Sequence, residues 1–195
     1  MTEPRSDESA RIVDAAFEII SEQGWQAVTL DAVAARCGVA RDEVYRLTPS
    51  PSAMLDLFAR RIDLAVAADS APPPEGETAE TPRDRLFDVL MRRFDALAPY
   101  RDALVRLARD LPRDPPALAA TLPQAGRSFA FILGEAGISA DGLTGHARIA
   151  ALLCLWLAVQ RTWLQDDSED AARTMAALDR HLVRLFDWSP CYRNI

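Results

Sequence analysis

The chain has 195 residues, of which 49% are hydrophobic, and its 22 basic and 29 acidic side chains give a formal net charge of −7. This length and apolar content suffice for one well-packed domain, or for a small N-terminal domain and a larger body, and they exclude a disordered protein. The widely separated Cys37, Cys154 and Cys191 exclude a disulfide framework and the common zinc spacings. Because the sequence has only two histidines, no Gly-rich phosphate loop and no nucleophile elbow, we predict no catalytic residues, no metal, no cofactor and no enzymatic activity.

The sequence carries no segment that predicts a membrane span or a secretion signal. The longest charge-free run of the apolar C-terminal half lies between Arg148 and Arg161, which is shorter than the roughly 18 to 20 residues of a span. The N-terminus has no basic segment followed by an apolar core. We therefore expect a cytoplasmic protein without integral membrane association.

The first third of the chain predicts three helices. The first covers about residues 7–23, with apolar side chains at helical spacing and Gly24 as its stop. Two short helices follow within residues 29–49 and meet at Gly38, because glycine permits the positive φ of a tight helix-helix turn. This is a helix-turn-helix pattern, and it predicts a DNA-binding-type domain at residues 1–50.

Residues 51–195 predict a helical body. Its first helix covers 51–68 and is followed by residues 69–81, whose three consecutive prolines and lack of large apolar side chains predict an exposed connection. Because no stretch alternates like a β-strand, the predicted fold is all-α. The further helices of the body are predicted at about 82–98, 100–111, 124–136, 141–164 and 168–188, the last with Ser168 as its N-cap.

The helix predicted at 141–164 has an unusually wide apolar stripe. Such a stripe fits the lining of a ligand pocket or the core of a dimer, and one helix can serve both on different faces. We predict a homodimer built from the last two helices, which Leu152→Arg or Val159→Arg should separate into monomers. The stripe consists of Ile149, Leu152, Leu153, Trp156, Val159 and Trp163.

Residues 9–62 combine several short motifs in a fixed order. An amphipathic helix ends in Gly24-Trp25, and further pairs and triplets follow it: Thr29-Leu30, Val33-Ala34, Cys37-Gly38-Val39, Val44-Tyr45 and Pro49-Ser50. Together they resemble the N-terminal domain of TetR-type transcriptional regulators. The resemblance implies a three-helix DNA-binding head on an all-helical ligand-binding and dimerisation body, with operator DNA, a second copy of the chain and a small apolar ligand or lipid as partners.

The resemblance places the DNA contacts on the second and third helices. Tyr45 and Arg46 are expected to touch the DNA backbone or bases and Arg41 a phosphate. Residues 1–65 contain 7 arginines and 11 acidic residues, so an acidic head is expected to bind phosphate weakly. The full set of predicted DNA-binding residues is Thr29, Arg36, Arg41, Asp42, Tyr45 and Arg46.

A segment of about 20 residues near the C-terminus carries a second resemblance. The run Trp163-Leu164-Gln165-Asp166-Asp167-Ser168, with Asp170, Thr174 and Leu178-Asp179-Arg180, is similar to the C-terminal signature of the lipid-binding accessory proteins of ubiquinone biosynthesis. Those proteins share the TetR architecture but do not act as regulators. The acidic cluster in this run fits a metal site or, as we favour, a charged loop that supports a helix N-terminus.

The sequence also predicts an apolar, largely uncharged pocket in the body. Its volume should be at least about 300 Å³, enough for a drug-sized or isoprenoid ligand. The predicted lining is Phe87, Leu90, Met91, Phe94, Phe129, Leu133, Leu152 and Trp156.

Two functions follow from these patterns. The first is a ligand-responsive TetR-type regulator that binds operator DNA as a dimer. Its effector shifts the fourth helix through Phe58 and Ile62 and changes the spacing of the two heads. The alternative is a TetR-fold lipid-binding accessory protein, of the ubiquinone-biosynthesis type, that has lost DNA binding.

Overall fold

The computed structural model describes residues 4–69, 81–168 and 170–192. Within these residues no β-strand occurs, and the predicted all-α fold is confirmed. Most of the predicted connection at 69–81 lies outside the described residues. The helices are α1 (Pro4–Gln23), α2 (Leu30–Cys37), α3 (Arg41–Leu47), α4 (Pro51–Ala68), α5 (Pro82–Leu97), α6 (Arg101–Asp110), α7 (Pro115–Glu135), α8 (Gly142–Trp163) and α9 (Ala172–Trp188).

The helices form two compact units. The first contains Met1–Arg61 and Pro99–Gln124, and the second contains Ile62–Ala98 and Ala125–Ile195. Helices α4 and α7 each contribute residues to both units along a continuous backbone. The predicted domain boundary at residue 50 stays a prediction.

In the first unit, α1 packs against α2 and α6. Gly24 has a φ of +89° and ends α1, and Gly38 has a φ of +69° and ends α2, so both adopt the backbone conformation that the sequence predicts. A Cβ atom added to Gly24 would lie 2.7 Å from a carboxylate oxygen of Asp110, so this position also excludes a side chain by its close approach to α6. The apolar face of α1 is buried at Ile12, Val13, Ala15, Ala16, Phe17, Ile19 and Ile20.

Two sets of contacts fix α6 within the first unit. The ring of Phe17 lies 3.9 Å from that of Phe58 between centroids, and Tyr100 meets both rings edge-on. Trp25 donates its backbone N–H to Asp110 at 3.2 Å and its indole N–H to Asp114 at 3.0 Å. The turn after α1 is therefore held by hydrogen bonds as well as by apolar burial.

The second unit has its own core, to which α5, α7, α8 and α9 contribute. α8 packs against α9, and α5 packs against α9 as well. The deepest side chains are less than 2% exposed, so their burial from water is the main stabilising contribution in this unit. They are Leu86, Leu90, Phe94, Ile132, Leu133, Leu152, Leu178 and Leu182.

The observed α7 begins nine residues before the predicted start at residue 124. The predicted helices at 100–111 and 124–136 leave the prolines at 115 and 116 between them. Pro115 instead occupies the first position of α7, where the missing N–H costs nothing, and Asp114 accepts from the N–H of Ala117 at 3.1 Å. Pro123 lies inside α7, where it removes one helical hydrogen bond without ending the helix.

Helix α8 is long and apolar enough to cross a membrane by length and composition, with a mean hydropathy of 1.5 in its most apolar window. One such helix is weak evidence, because core helices of soluble proteins meet the same criterion. The apolar stripe of α8 faces the core of the second unit: Leu152, Trp156, Val159 and Trp163 are all buried there, and Ile149 and Leu153 are half-buried. The assignment of Leu152 and Val159 to a dimer face is therefore wrong, and an arginine at either position would disrupt the chain's own core.

Helix α9 begins at Ala172, four residues after the predicted N-cap at Ser168. The difference is due to Asp166, a carboxylate that is 3% exposed and sits in the loop between α8 and α9. One of its oxygens accepts from the N–H and hydroxyl of Thr174 at 2.8 and 2.7 Å, and the other accepts from the hydroxyl of Ser168 at 2.5 Å. These donors hold the pKa of Asp166 well below its usual range, with the Ser168 hydroxyl as the largest contribution. Asp166 thus caps the N–H of Thr174 in the first turn of α9, whereas the hydroxyl of the predicted cap Ser168 and the carboxylate of Asp170 accept from the N–H of Ala172 at 3.1 and 3.2 Å.

We predict that Asp166→Ala lowers the free energy of unfolding by about 2 kcal/mol or more, because it leaves the Thr174 and Ser168 donors without their acceptor. Since the folded-state pKa is depressed, the contribution of Asp166 is complete above pH of about 4 and is lost as the pH falls further. Urea denaturation between pH 3 and 7 measures both effects. The exposed neighbour Asp167 provides the control, and equal losses for Asp167→Ala and Asp166→Ala would contradict this role.

Candidate DNA-binding head and ligand-binding body

The α2–α3 pair presents a small polar surface on a buried base. Val33, Ala34 and Val44 are buried and hold the two helices in the first unit. Thr29 accepts from the N–H of Ala32 at 3.1 Å and caps α2, which leaves its hydroxyl hydrogen free to point outward. Tyr45, 58% exposed, projects from α3 into solvent.

Arg36 forms ion pairs with two carboxylates of α1. Its guanidinium lies 3.1 Å from Glu18 and 2.7 Å from Glu22, and both contacts are ion pairs as well as hydrogen bonds. The hydrogen bond from Arg36 lowers the pKa of Glu22, and the two acceptors raise the pKa of Arg36. To contact a DNA phosphate, Arg36 would have to give up this arrangement.

Arg41 and Arg46 are more accessible cations. Arg41 lies 3.1 Å from Asp31, but both side chains are more than 60% exposed, and such a surface pair contributes little to stability. Arg46 is exposed and forms no ion pair with any residue in the part of the chain that the structure describes. It borders an open cleft of about 360 Å³, together with Glu8, Glu43 and Leu47. Arg46 and Arg41 are therefore the predicted site residues best able to meet a phosphate.

The acidic residues at the start of α3 have a structural role of their own. The N-cap position of α3 is Ala40, which offers no side-chain acceptor to the first turn. Asp42 and Glu43 place negative charge beside the free N–H groups of that turn, where it is stabilising by about 0.3 to 1 kcal/mol per charge. Asp42 is exposed, so it remains on the surface that the resemblance assigns to DNA.

In the second unit, the structure brings three of the predicted pocket residues together as an aromatic cluster. Phe94 stacks on Trp156 with 4.4 Å between ring centroids, and Phe129 meets Trp156 edge-on at 6.0 Å. Leu90, Leu133 and Leu152 are buried, whereas Phe87 and Met91 are half-buried. Because the rings are in contact, a ligand that enters this cluster must move them apart.

A separate open groove of about 510 Å³ lies between α5 and α9. Phe87, which the sequence predicts as a pocket residue, lines this groove. The groove has an apolar floor and a charged rim, and its lining consists of Arg83, Asp84, Phe87, Asp88, Met175, Ala176 and Asp179.

The predicted pocket is not uncharged, which corrects the sequence analysis. Arg93, only 7% exposed, places its guanidinium carbon 5.4 Å from the ring centroid of Trp156 and 5.8 Å from that of Phe129. It pairs with Asp63 of α4 at 2.5 Å. The sequence analysis did not single out Arg93, because arginine is seldom buried and its position next to Phe94 does not reveal a buried partner.

Comparison with known proteins supports the resemblance. Residues 12–50 match the family model described as bacterial regulatory proteins, tetR family. A TetR transcriptional regulator from Nitrosomonas europaea ATCC 19718 has a solved structure with 22% identity and a TM-score of 0.70 over 91% of this chain and 97% of that one. A TetR transcriptional regulator from Rhodococcus sp. RHA1 gives 22% identity and a TM-score of 0.62 over 94% and 100% of the two chains. The search of curated proteins found no match.

These findings confirm the predicted TetR resemblance of the N-terminal segment and the predicted fold. The chain carries a TetR-type helix-turn-helix segment and has the whole-chain fold of TetR transcriptional regulators. The predicted roles of individual residues and the resemblance to lipid-binding accessory proteins remain predictions.

The aromatic cluster generates a stability prediction. Phe94→Ala should lower the free energy of unfolding by about 3 to 4 kcal/mol, because it removes a buried ring and leaves a cavity against Trp156. Phe87→Ala on the same helix is the matched control and should cost less, since Phe87 is only half-buried. Urea denaturation with both variants measures the difference, and equal losses would show that the cluster is not a close-packed core.

Proposed function

We propose that the protein is a cytoplasmic, ligand-responsive transcriptional regulator that binds operator DNA as a homodimer through its head and a small effector in its body. The observation that carries the proposal is the TetR-type match at residues 12–50, combined with an α3 that buries Val44 and exposes Tyr45 and Arg46. A helix that buries one side and offers an aromatic ring and a free cation on the other is suited to the major groove.

The ion pairs within the head indicate how readily each of its arginines can contact a DNA phosphate. Arg46 needs to give up no ion pair among the described residues before it contacts a phosphate, and Arg41 gives up only an exposed pair with Asp31. Arg36 gives up two acceptors on α1. Each DNA phosphate that an arginine neutralises releases counterions. The number of arginines that are available to bind phosphates therefore determines both the affinity for DNA and its dependence on salt. We infer that this head binds DNA through few phosphate contacts and depends on base contacts from Tyr45 and Arg46.

The exposed side of α8 supports a homodimer with a different interface from the predicted stripe. Leu143 is 92% exposed and Leu157 is 51% exposed, and Val183 of the adjoining α9 is 38% exposed. The exposed positions of α8 are spaced by three and four residues, the spacing at which two packed helices meet. One exposed row consists of Leu143, Ala147, Ala150, Cys154 and Leu157, and its small residues Ala147, Ala150 and Cys154 allow close approach of a second copy.

For signal transmission we propose that α4 is the moving element. Its Phe58 is buried in the first unit against Phe17, whereas Ile62 and Asp63 belong to the second unit. Arg92 and Arg93 of α5 hold the second-unit part of α4 through the carbonyl of Val66 and the carboxylate of Asp63. An effector that displaces these contacts would move α4 as a rigid helix and change the spacing of the two heads in the dimer, which lowers operator affinity.

The lipid-binding accessory protein is the second candidate function. Its support is the acidic head, with arginines already paired to carboxylates, and the C-terminal signature around Asp166. In that signature, Asp166, Ser168 and Thr174 form the cap of α9, so a structural requirement accounts for three of its residues without a lipid. This reduces its weight, and we favour the regulator.

Selection of bound duplexes from a random pool tests DNA binding. At low salt, the full chain should enrich one inverted-repeat motif, because a symmetric dimer places two heads on two half-sites. Arg46→Ala should weaken binding and reduce the slope of log K against log salt by about one, whereas Arg36→Ala should change the slope less. Failure to enrich any motif would reject the regulator and favour the lipid-binding alternative.

The dimer interface has its own test. Leu157→Arg should give monomers in sedimentation equilibrium at micromolar concentration, because it places a charge in an apolar contact between copies. Leu64→Arg is the matched control, since Leu64 is 71% exposed and belongs to α4, which is not one of the two helices of the proposed interface. A wild-type mass of one chain, or equal dissociation by both variants, would contradict the proposed interface.

A further inference from the structure

A buried polar cluster adjoins the aromatic rings of the second unit. Arg93 and Asp63 form an ion pair whose side chains are 9% and 14% exposed. Asp63 also accepts from the hydroxyl of Ser128 at 2.6 Å, so α4, α5 and α7 meet at one carboxylate. Replacement of such a pair by apolar side chains of similar volume is often neutral or stabilising, so the pair gives no evident stability reason for its presence.

The guanidinium of Arg93 has a donor that the ion pair does not use. Its Nε–H is buried and has no hydrogen-bond acceptor among the described residues. The rings of Trp156 and Phe129 interact with the positive charge of Arg93, but they offer no oxygen to this N–H. A buried donor without an acceptor costs about 1 to 3 kcal/mol, and each such group in a folded protein calls for an explanation.

The charge balance around Arg93 determines which acceptor suits it. Asp63 already neutralises the guanidinium, so a second carboxylate would bring an uncompensated negative charge into a buried site close to Asp63. An uncharged oxygen can accept from Nε–H without this cost. The surrounding side chains, Phe94, Phe129 and Trp156, favour a flat ring that stacks on them.

We propose that the effector is a flat, uncharged aromatic carbonyl compound whose oxygen accepts from the Nε–H of Arg93 while its ring stacks in the aromatic cluster. The proposal rests on the ligand-binding part of the function proposed above and replaces its general apolar effector with a chemical class. Since Arg93 holds α4 through Asp63, the same contact links the ligand to the helix that carries the signal.

Three shape-matched naphthalenes test this class by calorimetric titration of the full-length protein. 2-Acetylnaphthalene has an uncharged acceptor, 2-ethylnaphthalene has none, and 2-naphthoate has a charged one. We expect 2-acetylnaphthalene to bind about tenfold more tightly than 2-ethylnaphthalene, as one hydrogen bond from a charged donor requires. We expect 2-naphthoate to bind more weakly than the ketone. Equal affinities of ketone and hydrocarbon, tightest binding of the carboxylate, or binding of none of the three would overturn the proposal.

Variants of the ion pair separate ligand recognition from packing. Arg93→Lys keeps the charge opposite Asp63 but removes the planar Nε–H, so it should abolish the preference for the ketone. Asp95→Asn, at an exposed position of the same helix, is the control and should leave that preference intact. Asp63→Asn leaves Arg93 uncompensated and should shift the preference to 2-naphthoate. An unchanged preference in both Arg93→Lys and Asp63→Asn would refute the assignment.

The naphthalene titration and the selection of DNA duplexes test the two proposals independently. A protein that enriches an operator motif but binds none of the three naphthalenes remains a regulator, with an effector of another class. A protein that discriminates the naphthalenes as expected but enriches no motif has the proposed ligand site and is not a DNA-binding regulator.

Discussion

The continuous backbone of α4 constrains the rest of the structure, because this one helix supplies buried side chains to both compact units. Met54, Leu55 and Phe58 are buried in the first unit, and Ile62 and Val66 are buried in the second. Within each core, close-packed side chains respond to a displacement of the helix by discrete rearrangement. The proposed coupling of ligand to DNA uses this shared helix.

Electrostatics within the head distinguishes this chain from a simple basic DNA-binding domain. All of its cationic side chains are arginines, which form bidentate contacts with carboxylates as readily as with phosphates. In the head, α1 carries Glu18 and Glu22 opposite Arg36, so part of the positive charge is used inside the protein. An acidic protein of this kind has little long-range attraction for DNA, so the proposed operator binding depends on specific contacts from α3.

The two most informative buried polar groups differ in how fully they are satisfied. Asp166 receives hydrogen bonds on both carboxylate oxygens from Ser168 and Thr174 and has a clear structural task at the start of α9. Arg93 has the Asp63 carboxylate as a partner but retains one buried N–H without an acceptor. The hydrogen bonds of Asp166 explain its burial by the helix start that they stabilise, whereas the unused N–H of Arg93 beside the aromatic rings is the basis of the proposed ligand contact.

The sequence by itself determined the all-α fold, the stops at Gly24 and Gly38, and the TetR-type head, because helical periodicity and glycine conformations act over a few residues. It also identified the aromatic residues of the body, since apolar spacing reports burial. Only the tertiary structure decided which face of α8 is exposed, because a helix with apolar residues on several sides has no unique inward direction. It also revealed the pairing of Arg93 with Asp63, 30 residues apart, and the ion pairs of Arg36, which depend on how separate helices pack. Short-range patterns fix the elements, whereas the partners of charged side chains depend on long-range packing that no local pattern encodes.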